Sequence, residues 1–306
     1  MTARTTQPSP PTPGQTSTLR DPAPGRYRLI DKVALTYFAV ITLLLAHPNR
    51  PDNWPSLLLF HALYLVGIPL AVKFSGRSVL LSLFRDWYPV LGIMAMYGEL
   101  QFLNRVLTDQ YFDHTVMAWE KALFGRQMAV HLREMIPYKW FGEAVHFGYF
   151  CYYLTIPSLL IPLWVLKKYR EFRISVSVIG AAYIACYVWY VFWPVTGPYW
   201  QLPKPDPSAE GWLFPQITNF FVAGGSSRGS AFPSSHVAAS ITVLGMARLY
   251  MKPTYRILFL PVMLLITGTV YGGFHYAIDA IAGLALGLTF DIWGPNVVKK
   301  VDGKAI

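Results

Sequence analysis

Two stretches of the chain carry residue types able to work on an oxyanion. The first, GGSSRGSAFPSSHVAAS at 224–240, leads a Gly/Ser-rich loop through Pro233-Ser234-Ser235-His236 into an apolar segment. Ser234 or Ser235 is a favoured helix N-cap type. The free N–H groups of a first helical turn, together with the helix dipole, form a site for an anion such as phosphate. His236 then stands beside that anion, able to give or take a proton. Arg228 reaches the same oxygens as a charge-assisted donor, and Ser230 joins the candidate phosphate contacts. The second stretch, YGGFHYAIDAIAG at 271–283, opens on Tyr271, a further candidate contact, and turns at Gly272-Gly273 before His275 and Asp279. An i,i+4 pair shares one helix face. There the carboxylate accepts the ring N–H, fixes the tautomer and leaves the other nitrogen free to attack. Two imidazoles held in this way suit in-line phosphoryl transfer, one attacking phosphorus and the other protonating the departing oxygen.

Neither motif is decisive alone. A histidine at a membrane interface is more often held by backbone contacts than catalytic, and His61, His114, His131 and His146 are read as structural on that ground. HxxxD on a helix is common by chance. The weight comes from coincidence, because PSSH and HxxxD each begin an apolar run, on the same side and one helical hairpin apart.

The elements that must position these residues are apolar and long. Of 306 residues, 54% are hydrophobic and 14% charged, against about 25% charged in a typical soluble domain. That deficit excludes an ordinary cytosolic enzyme, a disordered chain and a nucleic-acid binder built on a basic surface. A bilayer core of about 30 Å needs about 20 mostly apolar residues per helix. Eight segments fit: roughly 30–47, 55–74, 87–105, 142–166, 174–193, 233–250, 256–273 and 276–294. The first and sixth are the shortest or most polar. The expected fold is therefore all-α, a polytopic integral membrane protein of about eight transmembrane helices, with one catalytic domain over 30–306 and its core at about 192–294. Residues 1–29, rich in Pro, Thr and Ser, read as a disordered tail. Segment 115–137 repeats its apolar positions at helical spacing (Val116, Trp119, Leu123, Leu132, Met135) with charges between, the pattern of a helix lying in the interface. The loop at 194–232 is long enough to be functional. The two cysteines, Cys151 and Cys186, lie in apolar runs and form no CxxC pattern.

The net charge of +10 now has an explanation. With a cytoplasmic N-terminus and eight spans, the inner segments hold 18 of the 26 basic residues, while the acidic residues divide six inside and ten outside. KKYREFR at 167–173 is the strongest single marker. The positive-inside rule puts both termini in the cytoplasm and the 194–232 loop, with both histidines, outside a cell membrane. The basic excess is topogenic and does not point to nucleic acid.

FPSSH followed about forty residues later by HYAID-AIAG resembles the type-2 phosphatidic acid phosphatase superfamily, over about 192–290. The resemblance implies that His275 is a nucleophile forming a phosphohistidine, Asp279 its orienter and His236 the acid on the leaving group. It also implies that Ser234 and Ser235 contact phosphate and that no metal or other cofactor takes part. Basic residues of the phosphatases have no counterpart here: a Lys with an Arg-Pro ahead of the first motif, and an Arg six residues before the nucleophile, where this chain has Thr269. FWPVTGPYW at 192–200, Arg228 and the HYxxD motif are closer to the inositolphosphotransferase and sphingomyelin-synthase branch.

The missing cations bear on the substrate. A phosphomonoester carries about −1.5 to −2 near neutral pH, whereas a diester carries a single charge that one Arg and a helix N-terminus can hold. The expected activity is transfer of a phosphoryl headgroup from a lipid phosphodiester to an alcohol on another lipid. The alternatives are a lipid phosphatase acting on phosphatidate, phosphatidylglycerol phosphate or polyprenyl pyrophosphate, and a transporter or scaffold that keeps only the fold. Partners are lipid substrates and the bilayer itself. Tyr97, Glu99, Gln101 and Asn104 on the third span, with Glu143 and His146 on the fourth, form a candidate polyol headgroup pocket; the plainer reading is that they join helix to helix.

Overall fold

The computed structural model describes residues 19–204 and 206–306, and among them the chain is all-helical. The first three long helices are α1 (Leu29–Leu44), α2 (Trp54–Phe74) and α3 (Val79–Leu103). Two short amphipathic helices follow, α4 (Asp113–Phe124) and α5 (Met128–Met135). Then come α6 (Lys139–Phe150), α7 (Tyr152–Val165) and α8 (Tyr169–Phe192). The connection to the last bundle carries α9 (Pro198–Gln201), α10 (Pro207–Glu210) and α11 (Phe214–Gly225). The chain closes with α12 (Ser235–Tyr250), α13 (Lys252–Tyr271) and α14 (Ala277–Asp302).

Five of these elements are long and apolar enough to cross a membrane: α2, α3, α8, α13 and α14. A sixth arises if α6 and α7, bent by 44° at Cys151, count as one. The two remaining expected spans, α1 and α12, are 16 residues each, below the length of about 17–25 that a full crossing takes. Helix α8 is the central post. It is the most enclosed of the candidate spans and packs against α1, α3, α7, α12 and α14.

Three other sequence expectations change. The expected tail, 1–29, falls partly outside the described residues (1–18), but Asp21 and Arg28 are buried, so the chain is already packed ahead of α1. The expected interfacial helix is two helices broken at Gly125, whose φ of +78° is the left-handed conformation glycine tolerates best. Of its marked apolar positions, Trp119, Leu123 and Met135 are exposed while Val116 is buried beside Asp113 and Glu120, so the carboxylates face protein. The long loop, finally, is not irregular: it folds around the twelve-residue α11.

Helices α12 and α14 lie close because α14 carries a small-xxx-small pair. A Cβ added at Gly283 would meet the Ser234 carbonyl, and one at Gly287 the Ala238 carbonyl. Small residues at this spacing let two backbones approach within a bilayer, which brings the starts of both helices together.

At the opposite end of the bundle three arginines and three aspartates form a buried network. Arg28 reaches Asp86 at 2.6 Å and Asp21 at 3.3 Å; Arg85 reaches Asp21 at 2.6 Å and Asp31 at 2.9 Å; Arg173 reaches Asp86 at 2.9 Å. Burial works to raise the Asp21 carboxyl, yet Arg28, Ser75 and Arg85 overrule it and hold it below its ordinary value. The network ties the pre-α1 segment to α1, α3 and α8. Removing one partner of a buried ionic pair strands the other charge, which costs about 3–5 kcal/mol. Arg85→Ala is therefore expected to lower the thermal unfolding temperature in detergent sharply. Arg248→Ala, which removes a pair whose arginine side chain is 56% exposed, is expected to cost under about 1 kcal/mol. Equal shifts for the two variants would show that the buried network does not hold this end together.

Candidate active site

His275 does not lie on a helix. It falls in the turn between α13 and α14, where its backbone N–H and that of Phe274 both reach the Thr269 carbonyl. Helix α14 starts at Ala277 with Tyr276 as N-cap, so Asp279 is the third residue of the helix and its Oδ2 accepts the Tyr276 N–H at 2.8 Å. The sequence expectation placed His275 and Asp279 on one helical face; instead, the carboxylate caps the helix and the histidine precedes it. Asp279 Oδ2 still stands 3.6 Å from His275 Nδ1. The hydrogen bond expected of it is made by a backbone group, since Nδ1 faces the Ala231 carbonyl at 2.9 Å.

That carbonyl fixes the tautomer. A carbonyl only accepts, so Nδ1 of His275 carries the proton and Nε2 keeps its lone pair. Nε2 in turn lies 3.2 Å from Nδ1 of His236, which must then be the donor of that contact. On its other side, Nε2 of His236 meets the Tyr149 hydroxyl at 3.2 Å. A hydroxyl both donates and accepts, so this contact survives whether His236 is neutral or charged. The ring of His236 is stacked on Tyr149, with centroids 5.2 Å apart, and lies 4.3 Å from that of Tyr152. The imidazoles expected to meet across the two motifs do meet.

The predicted phosphate contacts are less uniform. Ser234 is the N-cap of α12, accepting from the Val237 N–H, and is fully buried. The Ser235 N–H donates to the Tyr190 hydroxyl, which itself donates to the Pro233 carbonyl. Part of the first-turn cradle is thus taken up by the protein's own acceptors. Ser230 and Ser235 line the cavity described below, whereas Tyr271 does not; its hydroxyl donates to the Ile136 carbonyl at 3.0 Å. Arg228 is exposed, its guanidinium 5.2 Å from the Tyr111 ring centroid and 5.3 Å from that of Trp200.

Of the six candidate headgroup residues, Tyr97 alone lines the cavity, its hydroxyl 3.2 Å from both Ser230 Oγ and the Ser227 N–H. Asn104 donates to the Arg228 carbonyl and so anchors that loop. Glu99 turns away into a buried cluster with His61 at 2.8 Å and Tyr37 at 3.1 Å. Gln101 is exposed and bonds back to Gly98. Glu143 accepts the Trp212, Leu213 and Phe214 N–H groups at the start of α11, and His146 is buried 3.7 Å from Glu210. Apart from Tyr97 and Gln101, these polar groups join elements to each other, as the plainer reading had it.

Two residues that sequence reasoning passed over do the positioning. Asp113 accepts the Thr196 and Gly197 N–H groups, both at 2.9 Å, and the Tyr276 hydroxyl at 3.1 Å. Glu120 accepts the Met128 N–H at 2.7 Å and the Ala277 N–H at 2.9 Å. From α4 the two acids thereby hold the two residues that follow His275 and the 196–197 turn. Their spacing of seven, two helical turns, was the available signal.

A cavity of about 900 Å³ opens beside the histidines. Among the described residues that line it there is no Lys, Arg, Asp or Glu. His236 and His275 are the titratable imidazoles among its lining residues.

A family model for the PAP2 superfamily matches residues 114–290, a range that takes in α4 after Asp113 and the whole cavity wall from α6 onward as well as the two motifs. No curated protein and no solved structure matches.

Burial raises the Glu120 carboxyl above its ordinary 4.5, against the pull of the Met128, Ala277 and Ile278 N–H groups. The folded chain then binds more protons between the ordinary and the raised value, so stability falls as pH rises through that window. Melting temperatures of the wild type and Glu120→Gln across that range provide the check. The variant is expected to lose the slope, and an unchanged slope would remove Glu120 as its origin.

Proposed function

Because the chain belongs to the PAP2 superfamily, whose members are generally phosphatases acting on phosphate esters, we propose that it is a membrane enzyme moving a phosphoryl headgroup between lipids by way of a phosphohistidine on His275. The observation that carries this reading is the 3.2 Å approach of His275 Nε2 to His236 Nδ1 at the end of a cavity lined, among the described residues, by no Lys or Arg. In-line displacement places phosphorus next to one nitrogen and the leaving oxygen next to the other, so the direct contact opens to admit the phosphoryl group between the two imidazoles.

In the first step Nε2 of His275 bonds to phosphorus as the P–O bond to the donor lipid breaks. His236, starting protonated, gives its Nδ1 proton to the departing oxygen. In the second step the acceptor hydroxyl returns a proton to His236 and attacks phosphorus, which frees His275. Protons balance over the cycle. Ala231, through its carbonyl, keeps the His275 lone pair on Nε2. Tyr149 meets the far nitrogen of His236 in either state. Asp279, 3.6 Å away, favours the positive charge that His275 takes on at phosphorylation. The uncharged lining supports a substrate of low charge. A monoester bearing about −1.5 to −2 would enter with protonated His236 as the one cationic side chain among the described lining residues, so the diester transferase is favoured over the phosphatase. The inositolphosphotransferase-like assignment rests on the motif resemblance and this charge reasoning together.

The test uses labelled phosphatidylinositol with a lipid alcohol as acceptor. Formation of a phosphoinositol lipid is expected; release of inorganic phosphate from phosphatidate instead would favour the hydrolase. His275→Ala and His236→Ala are each expected to lower turnover by about 10²–10⁴-fold, with Asp279→Asn less severe because the cap acceptor is kept. Wild-type turnover in either histidine variant would end the proposal.

We also place the histidine end of the bundle outside the cell, on the distribution of Lys and Arg along the chain. A cysteine at Ser226 is expected to react with an impermeant thiol reagent on intact cells. Labelling that required permeabilised cells would reverse the orientation.

A further inference from the structure

The cavity changes character with distance from the histidines. Near them its wall is a belt of tyrosines from four helices, whose hydroxyls are paired locally: Tyr152 with Tyr183 at 2.7 Å, Tyr187 with the Ile93 carbonyl at 3.1 Å, Tyr97 with Ser230 and Tyr149 with His236. Farther away the lining is aliphatic: Val90 and Ile93 on α3, Ile156 and Leu160 on α7, Val176 and Ile179 on α8.

The depth follows from the helices. Tyr190 bonds the Pro233 carbonyl and Ser235 N–H at the histidine end. Val176 precedes it by fourteen residues on the same helix, which is about 21 Å at 1.5 Å per residue. Half of the hydrocarbon core is about 15 Å, so a slot starting at the interface passes the midplane. Residues Val176, Ile179, Tyr183 and Tyr187 recur every three or four positions, one face of α8 turned to the slot. One side of the slot is unwalled: Met94 on α3, a candidate membrane span, and Phe220 on α11 both line it, yet are 72% and 76% exposed.

We infer that this slot binds the hydrocarbon chain of a phosphate-bearing amphiphile, admitted sideways from the bilayer between α3 and α11, and that Val176, Leu160 and Val90 at its far end set the chain length it accepts. The inference rests on the lipid-phosphate reading above and extends it: the chain lies inside the protein rather than in the surrounding bilayer. A hydroxyl-rich belt next to the histidines with an aliphatic floor matches an amphiphile held headgroup toward the imidazoles. Each methylene withdrawn from water contributes about 0.8 kcal/mol. A chain taken from lipid gains less, so packing against the floor, more than burial, distinguishes chain lengths.

The probes are two alkylphosphocholines, sixteen and eight carbons long, the longer one also made with a photoreactive diazirine at its chain end. With the full-length protein in nanodiscs, the chain-end label is expected on peptides holding Val176 and Leu160. Label spread evenly over the lipid-facing residues of α2 and α14 would overturn the proposal. Val176→Trp is expected to weaken the sixteen-carbon probe about tenfold and leave the eight-carbon probe unchanged. Equal weakening of both, in a protein that melts as the wild type does, would also overturn it. If Val176→Trp fails to fold, the labelling of the wild type decides alone. Neither readout requires turnover. A protein that labels as expected yet moves no phosphoryl group therefore keeps this site and overturns the reaction proposed above.

Discussion

A single hydrogen bond, from Nδ1 of His275 to the Ala231 carbonyl, decides what the rest of the site can do. It holds one proton in place, so the lone pair is left on the nitrogen that faces His236. A carbonyl is an acceptor at every pH, which makes it a more constant orienter than a carboxylate able to take up a proton itself. The bond exists only because two loops distant in sequence are laid side by side. Val195 and Ser230 form a β-bridge there, and the Ala231 N–H donates to the Val195 carbonyl. Asp113 in turn holds the two N–H groups that follow Val195. The tautomer of the histidine is thus fixed by backbone geometry, and the backbone geometry by a buried carboxylate on α4.

Charge is distributed by the same economy throughout. Ionisable groups cannot remain unpaired where water is excluded, and here they are concentrated at the two ends of the bundle. One end carries the arginine–aspartate network, in which each charge has an opposite partner. The other carries Asp113, Glu120 and Glu143, whose partners are chiefly backbone N–H groups at helix starts and turns. Such groups supply fixed dipoles and no mobile counter-charge. The histidine end gains firm positions for its loops without introducing cations into the cavity.

The cavity is in consequence aromatic and aliphatic, with two imidazoles as its reactive groups. The phenol hydroxyls are spent on one another and on backbone carbonyls, which lets a polar belt exist inside a membrane-embedded wall without stranding donors. Helix α11, expected as loop, closes part of this wall through Phe220 and Phe221, and Glu143 fastens its first turn.

Sequence alone settled the helical class, most of the span positions and the pairing of His236 with His275. Long apolar runs have few structural options in a bilayer, and two motifs that each begin such a run on one side are brought to one height by the hairpin between them. The buried acids of α4, Asp113 and Glu120, were passed over, because the pattern of charges between apolar residues reads as an interfacial helix whatever those charges face. Tertiary structure decided the remainder. It showed that Asp279 caps a helix while a carbonyl orients His275, because whether a residue lies one position inside or outside a helix start is set by packing against neighbours. It withdrew Glu99, Glu143 and His146 from the cavity, since spacing fixes a helix face but not which neighbouring helix that face meets. It also produced the slot itself, whose wall draws on α3, α6, α7, α8 and α11, segments related by contact in space and by no pattern along the chain.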